Sequence, residues 1–376
     1  MAVVQERIGT IARMEFHAAE RVSLSLEWDV ALIDPNTGEL TGRAGEILDA
    51  LDEPRCRPGF MTNTICMVTE THRNVPGAIA DLRSLCTKVV SAAEEAGIGV
   101  VGLGTHPFSD WHVQTITPDG HGIQLVERAK EWSRQLAVWG LRVHIAVGDQ
   151  QAIPAATRGV LNSYHWLLAP TASSPYWMGQ NTGFVSHRSM LMRQVPGAGL
   201  PTVFDTWAET VQAVEGMCRA GVIANWRDLD WTIRPEPARG GIGLNIADSQ
   251  PSLFNVGAHA ALVQCVVEEA LRAHERGEST DNLPIWAVRE NKFRAARFGF
   301  DTQVVTDAAG NQTPAREGFA RRIDELQHIA RDLGCEGELV SCLILLDSTP
   351  AERQRAMLRG GNRNGVIESL RSELLR

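Results

Sequence analysis

The sequence predicts a mixed fold in which helices cover one face of a sheet and leave the other face to small and polar groups. Two observations predict it. Four segments alternate with period two, the mark of strands with unlike faces. Five longer segments carry apolar residues at spacings of three and four, the mark of helices with one buried stripe.

The strands come first because they hold the chemistry. Segment 24–34 (LSLEWDVALID) puts Leu26, Trp28, Val30 and Leu32 on one face and Ser25, Glu27, Asp29 and Ala31 on the other. In 62–68, Ile65 and Met67 alternate with Thr64 and Cys66. In 141–147, Leu141, Val143, Ile145 and Val147 alternate with Arg142, His144 and Ala146. In 241–248, Ile242, Leu244 and Ile246 alternate with Gly243, Asn245 and Ala247. If the four are neighbours, the apolar sides pack under the helices. The other sides then line one concave surface holding Glu27, Asp29, Cys66, Arg142, His144 and Asn245. Any half-solvated antiparallel sheet alternates in this way, so a plain surface with Arg142 paired to Glu27 or Asp29 is the competing expectation.

Helices are expected over 75–96, 122–139, 207–220, 258–276 and 313–333. The last should open with Thr313 as cap and Pro314 at the first helical position. Segments 55–59, 197–201 and 234–237 read as punctuation. None reads as a boundary, because motif-like text lies on both sides of each. One domain is expected over 1–376, with a recognisable core over about 24–355.

Composition narrows the function. The 376 residues carry a formal net charge of −9, so no basic stripe for nucleic acid is expected, and anionic membranes are disfavoured. No apolar run approaches the roughly 20 residues that span a bilayer. The opening text, MAVVQERIGTIARMEF, has no secretory pattern. Seven scattered cysteines without a CxxC pair point to free thiols in a reducing cytoplasm and to no structural zinc.

Several stretches then resemble one family. LEWDVALIDPNTGEL, GTHPFSDW, GLRVHIAVGD, ASSPYWMGQNTGFVSHRSM with PGAGLP, WTIRP and ENKFRAARFGFD occur in its order. They are similar to the bacterial glutamate–cysteine ligases of the second type. That family belongs to the carboxylate–amine ligase group, which shares a catalytic core with glutamine synthetase and guanido kinases. The resemblance implies an α+β fold: a curved, mainly antiparallel sheet whose concave face is the active site, with helices packed outside. It also implies Mg²⁺ and ATP, which turn a carboxylate, typically the γ-carboxylate of glutamate, into an acyl phosphate that an amine displaces. Hard cations of this kind want carboxylate oxygens.

This chain departs from the family where those oxygens are expected. Glu27 and Asp29 keep the first acidic pair. Cys66 stands where the family has a glutamate, and Arg142 where it has a metal-binding histidine, while His144 is kept. Gly243 and Asn245 replace a glutamate and an arginine, and Met178, Gln180 and Asn181 fall where acids are frequent. A guanidinium cannot give up a proton to bind a metal. The expectation is therefore no metal and no nucleotide cofactor. Glu27, Asp29, Cys66 and His144 are the catalytic candidates, with Cys66 activated by Arg142 and His144. Arg142, Asn245, Asn181, Arg188, Asn291, Lys292 and Arg294 are the expected contacts for a glutamate- or amino-acid-like substrate, and the resemblance implies a homo-oligomer such as a dimer. Three functions stay open: a repurposed small-molecule cleft, a regulatory pseudo-enzyme partnering an active homologue, and a ligase with metal ligands rebuilt from Asp110, Glu70 or Asp248.

Overall fold

A computed structural model describes residues 14–195, 197–278 and 283–376; most of the opening text read for a leader lies outside them. Among these residues a seven-stranded sheet forms from β1 (Leu24–Ile33), β2 (Cys56–Pro58), β3 (Thr64–Val68), β4 (Gly99–Val101), β5 (Gly140–Ala146), β6 (Ile233–Glu236) and β7 (Gly241–Asp248). The order is β2-β3-β1-β5-β7-β6, every pair is antiparallel, and β4 lies beside the end of β1. The four strands expected from alternation are thus consecutive neighbours at the centre of the sheet. The α+β class with a mainly antiparallel, open sheet holds.

The even-numbered face of β1 (Leu24, Leu26, Trp28, Val30, Leu32) is buried with Val143, Ile145, Ile242 and Leu244 under α1 (Val75–Glu95), α2 (Ile153–Asn162) and α3 (Leu253–Glu275). Apolar area removed from water on this scale is the main stabilising term, roughly 25 cal/mol per Å². Asn74 caps α1 by accepting from Gly77 N, and Ser252 caps α3 by accepting from Asn255 N. At the far end of β1 the odd face also turns apolar. Ala31 and Ile33 pack with Val101, Leu103 and Trp139 against α5 (Arg363–Glu373), counting Ile285–Phe298 as α4. That cover confines the open polar face to the stretch carrying Ser25, Glu27 and Asp29.

Three expectations need correction. The 122–139 helix stops at Ala129, because Lys130 takes a positive φ of 50°, and resumes only over Glu131–Arg134. The 313–333 helix starts at Ala315. Thr313 lies instead in a short strand, Gln312–Pro314, so it does not cap. Segments 55–59 and 234–237 are not punctuation. They carry the two edge strands β2 and β6. Proline is tolerated there because an edge strand leaves one row of N–H groups unneeded.

Candidate functional site

Cross-strand register brings the polar groups together. Arg142 lies opposite Glu27, His144 opposite Ser25, and Cys66 opposite Asp29. The β5–β7 register slips between Leu141 and Val143, and Arg142 sits in that slip. An irregularity of this kind re-aims a side chain. Arg142 Nη1 donates to Glu27 Oε2 at 2.8 Å and Nη2 to Asp29 Oδ2 at 2.9 Å. One guanidinium therefore holds both retained acids.

His144 lies between two carboxylates. Its Nδ1 is 2.5 Å from Glu236 Oε2, and its Nε2 is 3.0 Å from Glu27 Oε1 but off the axis of a hydrogen bond. Gly243 is what lets Glu236 arrive: a Cβ there would meet Glu236 Oε1 at 2.6 Å and His144 Nδ1 at 3.1 Å. The missing side chain on β7 is thus filled by a carboxylate from β6, the neighbouring edge strand.

More arginines close over this cluster. Arg234 reaches Glu236 at 2.8 Å, and Arg239 reaches Glu27 at 3.2 Å and Glu236 at 3.8 Å. From the opposite edge Arg57 comes within 3.6 Å of Glu27. Burial alone would raise the Glu27 carboxyl, but His144, Arg142 and Arg239 outweigh it and hold the group far below the usual carboxylate range. Burial opposes ionisation of Glu236 too, yet His144, Arg234 and Arg239 bring it down to about 2. Asp29 and Glu27 in turn raise the Arg142 guanidinium.

The cluster forms the floor of a cavity of about 810 Å³. Six arginines and five carboxylates line it in a chain whose net charge is −9. Glu27, Asp29, Cys66, Arg142, His144, Asn245 and Arg188 all reach it. Arg188 Nη2 donates to Asn245 Oδ1 at 2.6 Å. It crosses Gly140, where a Cβ would stand 2.3 Å from Nη2.

Other expected residues lie elsewhere. Asn181 is exposed on the hairpin Tyr176–Trp177/Gln180–Asn181, and its carbonyl accepts from Gly183 N. Asn291 is buried and clips the backbone of Val305 at both its N–H and its C=O. Arg294 ties Glu290 to Gln303 O and Gln312. Lys292 lines a smaller pocket beside the cavity. The suggested replacement acids are also placed: Asp110 holds His112, Glu70 is exposed 4.0 Å from Arg55, and neither lines the cavity. Asp248 is fully buried and accepts from Ser173 N and from the Ser174 and Ser186 hydroxyls.

The expected activation of Cys66 is corrected by its surroundings. Burial first, and then the Asp29 carboxylate, push the thiol well above its ordinary value, and Arg142 opposes this only in part. Glu236, Arg234, Arg239 and Arg57 were the residues missed. A signal was present, since Arg234 and Glu236 alternate with Ile233 and Pro235, but the prolines read as breaks. Among the described residues no group of three or more His, Cys, Asp or Glu side chains is disposed to hold a metal ion.

The profile of the glutamate–cysteine ligase family 2 (GCS2) matches residues 26–373. A protein of Leifsonia xyli named "Putative glutamate--cysteine ligase 2" is 36% identical over 371 residues, covering 96% of this chain and 98% of its own. One of Nocardia farcinica, "Putative glutamate--cysteine ligase 2-2", is 34% identical, covering 97% and 99%. The fold is that of a crystal structure of glutamate–cysteine ligase from Francisella tularensis in complex with AMP, with a TM-score of 0.68 at 12% identity, over 95% of this chain and 89% of that one. A bifunctional glutathione synthetase from Pasteurella multocida superposes with a TM-score of 0.67 at 13% identity, over 94% of this chain and 52% of that one. By sequence along nearly its whole length and by fold, the chain belongs to the glutamate–cysteine ligase family 2.

Proposed function

We propose that this chain keeps the family's cleft as a binding site for a small, amino-acid-like molecule bearing a carboxylate, and that it does not join a carboxylate to an amine with Mg–ATP. One observation carries the proposal: Arg142 hydrogen-bonds both Glu27 and Asp29. Mg²⁺ needs six oxygens in near-ideal geometry and sheds its water reluctantly. Here each candidate carboxylate already faces fixed positive charge. Glu27 has Arg142, Arg239 and Arg57 within 4 Å, Asp29 has Arg142, and Glu236 has Arg234 and Arg239. A divalent cation would have to displace charge-assisted hydrogen bonds and then sit among guanidinium groups. The donor set does not suit the ion, so no step is routed through it.

The same arginines suit an anion. Arg57, Arg234 and Arg239 are each part-exposed at the cavity and have donors beyond those their acids use. A thiolate mechanism through Cys66 is disfavoured by the burial of the sulfur. The Glu27–His144–Glu236 chain on the cavity floor is an acid–base element that does not need the sulfur.

Calorimetry tests the reading. In EDTA-containing buffer, L-glutamate or a close analogue should give heat and raise the melting temperature. In buffer without EDTA, Mg–ATP should give none. Micromolar Mg–ATP binding that Glu27→Gln abolishes would overturn the proposal and restore the ligase reading.

A further inference from the structure

Away from the cleft, three cysteines meet in the main apolar core. Cys265 lies within α3, Cys335 stands at the corner between the helices Ala315–Leu333 and Glu336–Ser341, and Cys342 follows the second of these. All three are free thiols, none is more than 1% exposed, and none lines the large cavity.

The three are not equivalent. Cys265 Sγ and Cys335 Sγ are 3.9 Å apart, and each is the other's hydrogen-bond partner. The Cys342 thiol is turned elsewhere and donates to Ala258 O at 3.2 Å. A disulfide holds its sulfurs about 2 Å apart, so the pair has roughly 2 Å to close. Cys265 is fixed in its helix. Cys335 is not: it comes after Gly334, whose φ of 68° ends the preceding helix, and it stands just outside the next one. A side chain at such a corner can swing without breaking a helical turn.

The surroundings also fix the order of events. The hydrogen bond to Cys335 and then burial hold the Cys265 thiol far above its ordinary value, and Arg322 opposes this only in part. A protonated, buried sulfur reacts slowly. Entry is through the short Glu336–Ser341 helix, beside which Val340 and Ile344 are exposed, because short surface elements open at lower cost than the whole fold. Once one sulfur of the pair is oxidised, the other is already in contact with it.

We propose that Cys265 and Cys335 are an oxidative modification site, a dithiol that a hydroperoxide converts to a disulfide, tying the 335 corner to α3. One sulfur attacks a peroxide oxygen, the O–O bond breaks, and a sulfenic acid and water (or an alcohol) result. The second sulfur then attacks the sulfenic sulfur, the S–S bond forms, the S–O bond breaks, and the departing hydroxide leaves as water with the second thiol's proton. Two electrons and two protons pass to the peroxide. The bond would close a loop between residues 70 positions apart.

Hydrogen peroxide tests this on the full chain. The reduced protein is held with peroxide a few degrees below its melting temperature, alkylated under denaturing conditions, digested and weighed. A cross-linked peptide pair containing Cys265 and Cys335 should appear, 2 Da lighter than its two parts, with Cys342 and Cys86 recovered as alkylated thiols. The oxidised protein should melt about 5 °C higher than the reduced one, and dithiothreitol should reverse both changes. Cys335→Ser and, independently, Cys265→Ala should abolish the cross-link and the shift, and Cys342→Ser should keep both. Recovery of Cys265 and Cys335 as alkylated thiols after the part-exposed Cys218 is fully oxidised would overturn the proposal. So would a cross-link through Cys342, or a Cys265–Cys335 link that leaves the melting temperature where it was.

Discussion

Two adjoining regions of one concave surface handle charge in opposite ways. Around Glu27 every carboxylate is met by cations: Arg142, Arg239 and Arg57 all lie within 4 Å of it, with the His144 ring beside them. In the smaller pocket beside it, Arg188 has Asp248 at 4.0 Å and Lys292 lies over the Tyr164 ring. The first region is complete in itself. The second holds its buried cations by a more distant acid and a ring face. A cluster of charges is therefore weak evidence of a ligand until its balance is examined.

The largest way to break this comparison is to unbalance the first region. Arg142→Ala strips Glu27 and Asp29 of their shared partner and leaves Asp29 with the Gly140 N–H at 3.4 Å. Removing one partner of a buried pair costs about 3–5 kcal/mol. Urea unfolding should register a loss of that order. If the guanidinium acts as the acids' counter-ion, millimolar Mg²⁺ or Mn²⁺ should return part of the lost stability to the variant and nothing to the parent. A variant as stable as the parent would mean the ion pairs are solvated decoration.

Acid should have the next largest effect, through Glu236. Its carboxyl is brought from an ordinary 4.5 to about 2 in the folded chain, so the folded state holds fewer protons than the unfolded chain in that interval. Its contribution is present above pH 4.5 and is lost as the pH falls towards 2; Glu27 acts in the same direction. The effect is on the order of 3 kcal/mol at most. Unfolding midpoints between pH 5 and pH 2.5 should fall more steeply for the parent than for Glu236→Gln. Equal slopes would show that the His144 contact does not hold Glu236 ionised.

Gly243→Ala is a milder disturbance of the same place. The new methyl would stand 2.6 Å from Glu236 Oε1 and has to push that carboxylate off His144. Overpacking of this kind costs about 1–3 kcal/mol. Thermal denaturation should show the loss, and it should shrink in Glu236→Ala, which vacates the space. An undiminished loss would locate the strain elsewhere.

Much of this surface was legible in the chain because strand alternation is a local pattern. Period two alone put Glu27, Asp29, Cys66, Arg142, His144 and Asn245 on one face, and all six line the cavity. What stayed hidden was carried by edge strands. β2 and β6 are short and contain proline, so they read as breaks, yet they deliver Arg57, Arg234 and Glu236. The meaning of Gly243 was hidden for a different reason. A missing side chain shows in sequence as a loss, whereas its replacement by Glu236 depends on which strand lies alongside. Asn291 and Arg294 illustrate the converse. They sit in a motif the family resemblance marks, but their donors are used to fasten α4 to the 303–314 hairpin.

The finest test compares two neighbours on α4 in the ligand-free protein. Lys292 and Arg294 are both basic and two residues apart, and they face different surroundings. Arg294 has Glu290 at 2.7 Å, Gln303 O at 3.1 Å and Gln312 at 2.8 Å. Arg294→Met gives these up at a part-exposed site, for a cost within about 1 kcal/mol. Lys292→Met removes a buried ammonium held over the Tyr164 ring and puts an apolar chain of similar length there. Replacing uncompensated buried charge with apolar bulk is often neutral or stabilising. Scanning calorimetry without carboxylates should therefore find Lys292→Met unchanged or higher in melting temperature by about 1 °C, and Arg294→Met slightly lower. A clear drop for Lys292→Met would mean that its ring contact with Tyr164 stabilises the fold, and the second region would then be as self-sufficient as the first.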